Sequence, residues 1–229
     1  MSLELDDISI RLQDRELISL SASIGPGEVL TVMGPSGSGK STLLAFVAGF
    51  LDPAFTASGT VRLDGLEITN MPANLRRTAM LFQDPMLFPH MSVGENLLFA
   101  IRAGRAIPGK VEAGFPSGIT KQRAGASWAD RRKIAEAALD EAGLHGFFDR
   151  DPATLSGGQK ARAALMRVLL SQPGALLLDE PFSKLDTDRR ARVRDFVFEE
   201  ARQRKLPVLL VTHDAADAQA AGGAVVTLG

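Results

Sequence analysis

Residues Gly34 to Ser41 read Gly-Pro-Ser-Gly-Ser-Gly-Lys-Ser, a glycine-rich run that closes on a lysine and a hydroxyl. The pattern G-x-x-x-x-G-K-[ST] cradles phosphate when it joins a strand to a helix. Both flanks fit: Val29 to Met33 is a short β-prone run, and Thr42 to Ala48 continues as a helical pattern. The glycines let the loop wrap an anion, so Gly34, Pro35, Ser36, Gly37, Ser38 and Gly39 are the candidate cradle. Lys40 supplies a point charge for the outer phosphates. Ser41 offers a hard oxygen to Mg²⁺, and Thr42 adds a hydroxyl nearby. A strand–loop–helix unit of this kind constrains the fold to an α/β core.

A second rare segment, Leu155-Ser156-Gly157-Gly158-Gln159, precedes a run of good helix formers from Lys160 to Leu170. It opens a helix whose N-terminus attracts phosphate. The two glycines leave backbone N–H groups uncovered, Ser156 adds a hydroxyl donor and Gln159 an amide. A plain glycine-rich turn before an ordinary helix is the alternative.

The remaining pattern alternates strands and helices. Leu3 to Ile10 and Leu17 to Ile24 read as alternating strands. Thr60 to Leu63 is a short strand before an Asp64-Gly65 hairpin turn. Ala79 to Phe82 reads as a buried strand and Val93 to Ile101 as a helix. Residues 103 to 128 have no clear period and read as a long loop or insertion. Asp130 to Ala142 and Arg189 to Lys205 read as helices. Ala175 to Leu178 and Val208 to Thr212 are continuous apolar strands of the kind buried in a parallel sheet. Ala224 to Leu228 is a last strand.

Whole-chain properties narrow the function. A formal net charge of −1 over 229 residues argues against a strongly nucleic-acid-binding surface. Without cysteine there is no disulfide and no Cys-based metal site. His90, His145 and His213 lack zinc-site spacing. No stretch approaches the ~20 apolar residues that span a bilayer, so any crossing falls to another chain.

With both motifs in hand, the chain resembles the ATP-binding subunit of ABC transporters over nearly its full length. Ala175-Leu176-Leu177-Leu178-Asp179-Glu180 looks like that family's Walker B strand. Ser183-Lys184-Leu185-Asp186 resembles its D-loop, although Ala is commoner where Lys184 stands. Gln83 matches the Q-loop glutamine and His213 the switch histidine. Read alone, Gln83 is an exposed strand end, His213 a structural histidine, and the acidic pair a solvated turn.

The resemblance implies an α/β fold: a P-loop NTPase core with a parallel sheet, a small N-terminal antiparallel β subdomain and an inserted helical subdomain. The core is expected at about 1–84 and 168–229, and the helical part at about 85–167. It implies ATP and Mg²⁺ as ligands, with Ser41, Gln83 and Asp179 on the metal. Glu180 is then the general base, with His213 and Gln83 beside it. Leu155 to Gln159 act on the ATP of a second copy, and Asp186 organises the interface. An aromatic residue usually stacks on adenine near positions 11 to 12. Here Arg11 and Leu12 stand there, and Arg11 can stack its guanidinium on the base.

The implied function is ATP-driven solute uptake. The implied partners are a second cassette, membrane permease subunits and an external solute-binding protein, with this chain peripheral at the cytoplasmic face of the cell membrane. Pro85 to Val93 is apolar; part of it is core by composition, and in the family it forms a groove for the membrane partner. Its Leu-Phe-Pro-His run resembles importers, among them cassettes for thiamine, polyamines, iron or oxyanions. The end at Gly229, soon after the last strand, suggests a compact cassette. The competing readings are an exporter cassette, a soluble ABC-type ATPase of DNA repair or translation, and a regulatory module without turnover.

Overall fold

Alternating burial makes the first layer. In the computed structural model, which describes residues 1–35, 37–101, 127–185 and 187–228 and only the backbone of 187–189, β1 (Leu3–Leu12) buries Leu3, Leu5, Ile8 and Ile10. β2 (Arg15–Ile24) pairs with it antiparallel, and β4 (Phe55–Leu63) covers its other edge. A short β5 (Leu66–Glu67) follows the two-residue turn Asp64-Gly65, so this sheet runs β2-β1-β4-β5. Both turn residues have positive φ, 52° and 75°, as a type I′ hairpin needs. β4 is nine residues long rather than the four expected, because Gly59 obscured the pattern. Gly59 stands at φ 100°, and a Cβ there would collide with the Asp7 carbonyl. That crowding sits where β1 bulges between Asp6 and Ser9.

The second sheet runs β6-β7-β8-β3-β9 and all its pairs are parallel. β3 (Val29–Met33), β7 (Ala175–Asp179) and β8 (Val208–Thr212) are almost entirely buried, as continuous apolar runs require. β9 (Ala224–Thr227) and β6 (Thr78–Leu81) are its edges. β6 corrects one expectation. The apolar run predicts a buried strand through Phe82, yet only Leu81 is fully buried and Phe82 is exposed. An edge strand has a neighbour on one side only, and a short apolar run does not reveal its place in the sheet.

α1 (Lys40–Ala48) packs between the sheets. Leu43, Leu44 and Val47 join Leu3, Ile10, Ile18, Leu177, Leu209 and Val211 in one core. Its C-terminus is closed by an arginine. Arg76 is buried and donates to Phe46 O at 2.7 Å and Val47 O at 3.1 Å, the last carbonyls of the helix. It also donates to Met71 O at 2.8 Å and to the Thr69 carbonyl. Burial pushes its pKa down from the ordinary guanidinium range. The negative end of the helix dipole faces it.

The chain divides into two compact units. The first holds Met1–Gln83, Pro173–Ser183 and Arg194–Gly229, and the second Asp84–Gln172 and Lys184–Val193. The second is helical: α2 (Val93–Ala100), α3 (Trp128–Glu141) and α4 (Gly157–Leu170). Each starts with a capping box, Ser92 with Glu95, Ser127 with Asp130, and Ser156 with Gln159. α5 (Thr187–Gln203) runs from the second unit into the first, and α6 (Ala215–Ala221) follows β8. The insertion expected at 103–128 lies outside the described residues up to 126. No helix among the described residues is long and apolar enough to cross a membrane.

Arg76→Ala removes a five-donor fork and leaves buried carbonyls without a partner. It is expected to cost roughly 2–4 kcal/mol, lowering the melting midpoint by about 5–15 °C. Arg76→Lys should recover little, because one ammonium cannot reach four carbonyls. Calorimetry of both variants checks this.

Candidate functional site

In a parallel sheet every strand ends at the same edge, so the loops that follow are neighbours. Met33 is in register with Thr212, and Val211 with Asp179. The loop Gly34 to Gly39, the pair Asp179-Glu180 and His213 are therefore brought to one rim of the first unit.

The loop is built by backbone conformation. Gly37 and Gly39 have φ of 82° and 89°, and a Cβ on Gly39 would meet Leu17 Cβ at 3.1 Å. Ser38 N donates to Pro35 O at 3.3 Å, closing the turn. Lys40 is buried at 6% exposure and its ammonium donates to Gly34 O at 2.7 Å and Pro35 O at 2.8 Å. The charge is thereby held inside the curve of the loop. α1 begins at Gly39 with no side-chain cap, unlike α2, α3 and α4. Ser38 is also buried, and its hydroxyl has no hydrogen-bond partner among the described residues. An uncapped helix start, an orphaned hydroxyl and a held ammonium together suit an anion. Thr42 lies in the first turn of the helix; Ser36 lies outside the described residues.

Ser41 Oγ donates to Asp179 Oδ1 at 2.9 Å, linking the first turn of α1 to the end of β7. Burial raises the Asp179 pKa, the Ser41 hydrogen bond lowers it, the Glu180 charge raises it and Lys40 lowers it; the net shift is upward. A half-buried carboxylate short of positive charge, facing a hydroxyl, is a pair of hard oxygens suited to Mg²⁺. No cluster of three or more His, Cys, Asp or Glu gathers among the described residues.

Glu180 has φ of 45°, the left-handed region that a glutamate seldom adopts. Its backbone is pinned on both sides. Its N–H donates to Val211 O at 2.9 Å, and its carbonyl accepts from Ser183 Oγ at 2.9 Å. Phe182 is fully buried beside it, edge-on to the Phe198 ring at 5.8 Å. Strain held by its surroundings in this way concentrates at functional positions. The carboxylate meets His213, with Glu180 Oε1 3.1 Å from His213 Nδ1. His213 is 57% exposed, and Glu180 only 23%.

The other expected residues are more dispersed. Gln83 is exposed, two residues beyond the end of β6. Arg11 Nη2 donates to Asp14 O at 2.8 Å across the β1–β2 turn. Asp186 lies outside the described residues. The pentapeptide belongs to the second unit. Leu155 is buried, Ser156 is the N-cap of α4, and Gly157 is exposed while Gly158 is buried. Ser156 Oγ accepts from Gln159 N at 3.4 Å and Gln159 Oε1 accepts from Ser156 N at 2.8 Å. The sequence reading gave both side chains to an anion, and the structure first uses them to cap their own helix. The Ser156 hydroxyl proton remains a donor, since the cap uses only its lone pair.

Sequence reasoning missed the anchoring of the rim. Thr212, Ser183 and Asp217 all bond to the segments that carry Glu180 and His213, and α6 was not anticipated. The signal was present: Asp214 is an N-cap residue and Gly222 a left-handed C-terminal stop. A seven-residue, alanine-rich helix is simply too short to show a period.

Residues 17–183 match the ABC transporter family. The ABC transporter ATP-binding protein YnjD of Escherichia coli (strain K12) is 42% identical over 93% of this chain and 89% of its own length. The thiamine import ATP-binding protein ThiQ of Vibrio parahaemolyticus is 38% identical over 95% of this chain and 83% of its own length. The Fe(3+) ions import ATP-binding protein FbpC of Brucella abortus is 38% identical over 93% of this chain, which spans 54% of that relative.

Asp179→Asn separates stability from chemistry. A carboxyl whose folded pKa is raised contributes stability below its unfolded pKa and loses it as pH rises through the folded value. At neutral pH the ionised Asp179 therefore weakens the ligand-free fold. The asparagine variant is expected to melt higher than wild type at neutral pH. The gain should shrink toward acid pH, where the native carboxyl is itself protonated. Thermal melts across pH without nucleotide test this.

Proposed function

The chain belongs to the ABC transporter family as one of its ATP-hydrolysing subunits, and on that premise we propose that it powers solute uptake by closing on ATP as a dimer. The observation that carries the reading is the Ser41–Asp179 link beside the Glu180–His213 pair. Both contacts stand on the strand rim that carries the loop Gly34 to Gly39, which is what supports assigning phosphate, metal and proton roles there.

Each residue then has a task. Gly34 to Gly39 wrap the phosphates with backbone amides, and Lys40 turns from the loop carbonyls to the outer phosphates. Ser41, Asp179 and the Gln83 amide would hold Mg²⁺, which when bound offsets charge on the phosphates. Glu180 accepts a proton from the attacking water, and His213 orients it and meets the terminal phosphate. Phosphoryl transfer asks mainly for positioning and charge neutralisation, which this set supplies. Arg11 packs on the adenine, its guanidinium held by the Asp14 carbonyl.

One face of the terminal phosphate is left to a second copy. Ser156 and the amides of Gly157 and Gly158 approach it from there, with Leu155 and Gln159 holding the turn. Asp186 lines the same interface. ATP thus favours the closed dimer, and hydrolysis removes the bond that favours it.

Uptake is supported by the names of the thiamine and Fe(3+) relatives and by the Leu87-Phe88-Pro89-His90 run. The second unit also exposes Met86, Phe99 and Trp128, large apolar side chains suited to a membrane permease subunit. The cassette then sits at the cytoplasmic face of the membrane, and an external solute-binding protein completes the assembly on the other side. The solute itself contacts those partners, so its identity is encoded there.

Glu180→Gln is expected to slow phosphate release by at least ~100-fold and to let ATP accumulate a dimer visible by light scattering. Unchanged turnover would sink the role of Glu180. Arg11→Ala should narrow the gap between ATP and GTP affinities, read by competition binding.

A further inference from the structure

His213 presents its ring to solvent, so something beneath it must fix its backbone. The residues on either side are tied to one hydroxyl. Thr212, 1% exposed, accepts from Asp214 N at 3.1 Å through Oγ1, and the same Oγ1 donates to Asp217 Oδ2 at 3.3 Å. Asp217 is itself 1% exposed on the first turn of α6. Its other oxygen, Oδ1, lies 3.5 Å from Arg194 Nη1 on α5. That guanidinium also donates to Ala216 O at 3.2 Å, and Asp214 Oδ1 caps the helix through Ala216 N at 2.7 Å.

We propose that Asp217 is a positioning residue that holds His213 against Glu180, so that turnover depends on a carboxylate buried away from the nucleotide. The inference rests on the reading of His213 given above. Burying a carboxylate is costly, and an apolar residue would pack α6 onto the sheet more cheaply. What an apolar residue cannot do is accept from Thr212. With that acceptor in place, the hydroxyl donates inward and its lone pair is turned to Asp214 N–H. Without it, the hydroxyl rotates, the Asp214 amide loses a defined partner, and the His213 backbone between them is freed. Arg194 balances the charge and fixes the carboxylate plane.

The test is steady-state ATP hydrolysis by the full chain carrying Asp217→Ala or Thr212→Val, each alone and with His213→Ala. Thr212→Val keeps the shape of the strand residue and removes only the hydroxyl, so it carries the test if Asp217→Ala fails to fold. Each single variant is expected to lower kcat about 10–100-fold, as loss of orientation does, with KM for ATP little changed. Neither should lower kcat further in the His213→Ala background, because both act through that histidine. A merely structural role would lower the melting midpoint and leave kcat per folded molecule intact. Unchanged kcat in the single variants, or losses that multiply fully in the double variants, overturns the inference. Wild-type turnover by His213→Ala would instead overturn the reading of His213 and the inference with it.

Discussion

The parallel register of β7, β8 and β3 is the constraint from which the rest follows. Met33 opposite Thr212 and Asp179 opposite Val211 set three loops at one edge. No loop has to travel to join the others. The apolar strands hold that register because sliding one would strand buried side chains at the rim. Polar residues begin where the strands end, and those are the residues to which the proposed function gives the chemistry.

The rim is held in an unfavourable condition. Asp179 stays half-buried with an upward-shifted pKa, and Glu180 occupies a left-handed conformation. Burial is the main cause of the Asp179 shift, against the Ser41 hydrogen bond, and bonds to Val211 O and from Ser183 Oγ pin the Glu180 backbone. The adjoining α1 leaves its first amides without a side-chain cap. The buried carboxylate and the uncapped helix start are the two features that the proposed cation and phosphate would satisfy.

The fold and the strand–loop–helix unit around Gly34 to Gly39 were legible in the sequence because both rest on local signals. Val29 to Met33 and Val208 to Thr212 are strands at their expected bounds, since a continuous apolar run bounded by turn residues has few alternatives. The edge position of β6 was not legible, because a four-residue run carries no record of its neighbours. The side-chain partners were hidden for a related reason. Arg76 is an ordinary arginine in sequence, and only the return of the chain past α1 makes it a helix cap. Ser156 and Gln159 were noticed for their spacing, but the same three-residue interval serves an N-cap as well as an anion.

The Arg76 cap has a mechanical meaning as well. α1 is nine residues long, about 13 Å from end to end. One end grips the phosphate loop. The other is riveted by Arg76 to the segment that enters β6, and β6 leads within two residues of its end to Gln83. The helix is thus a strut of the first unit that runs from the rim holding the phosphate loop to the opposite edge, where β6 begins.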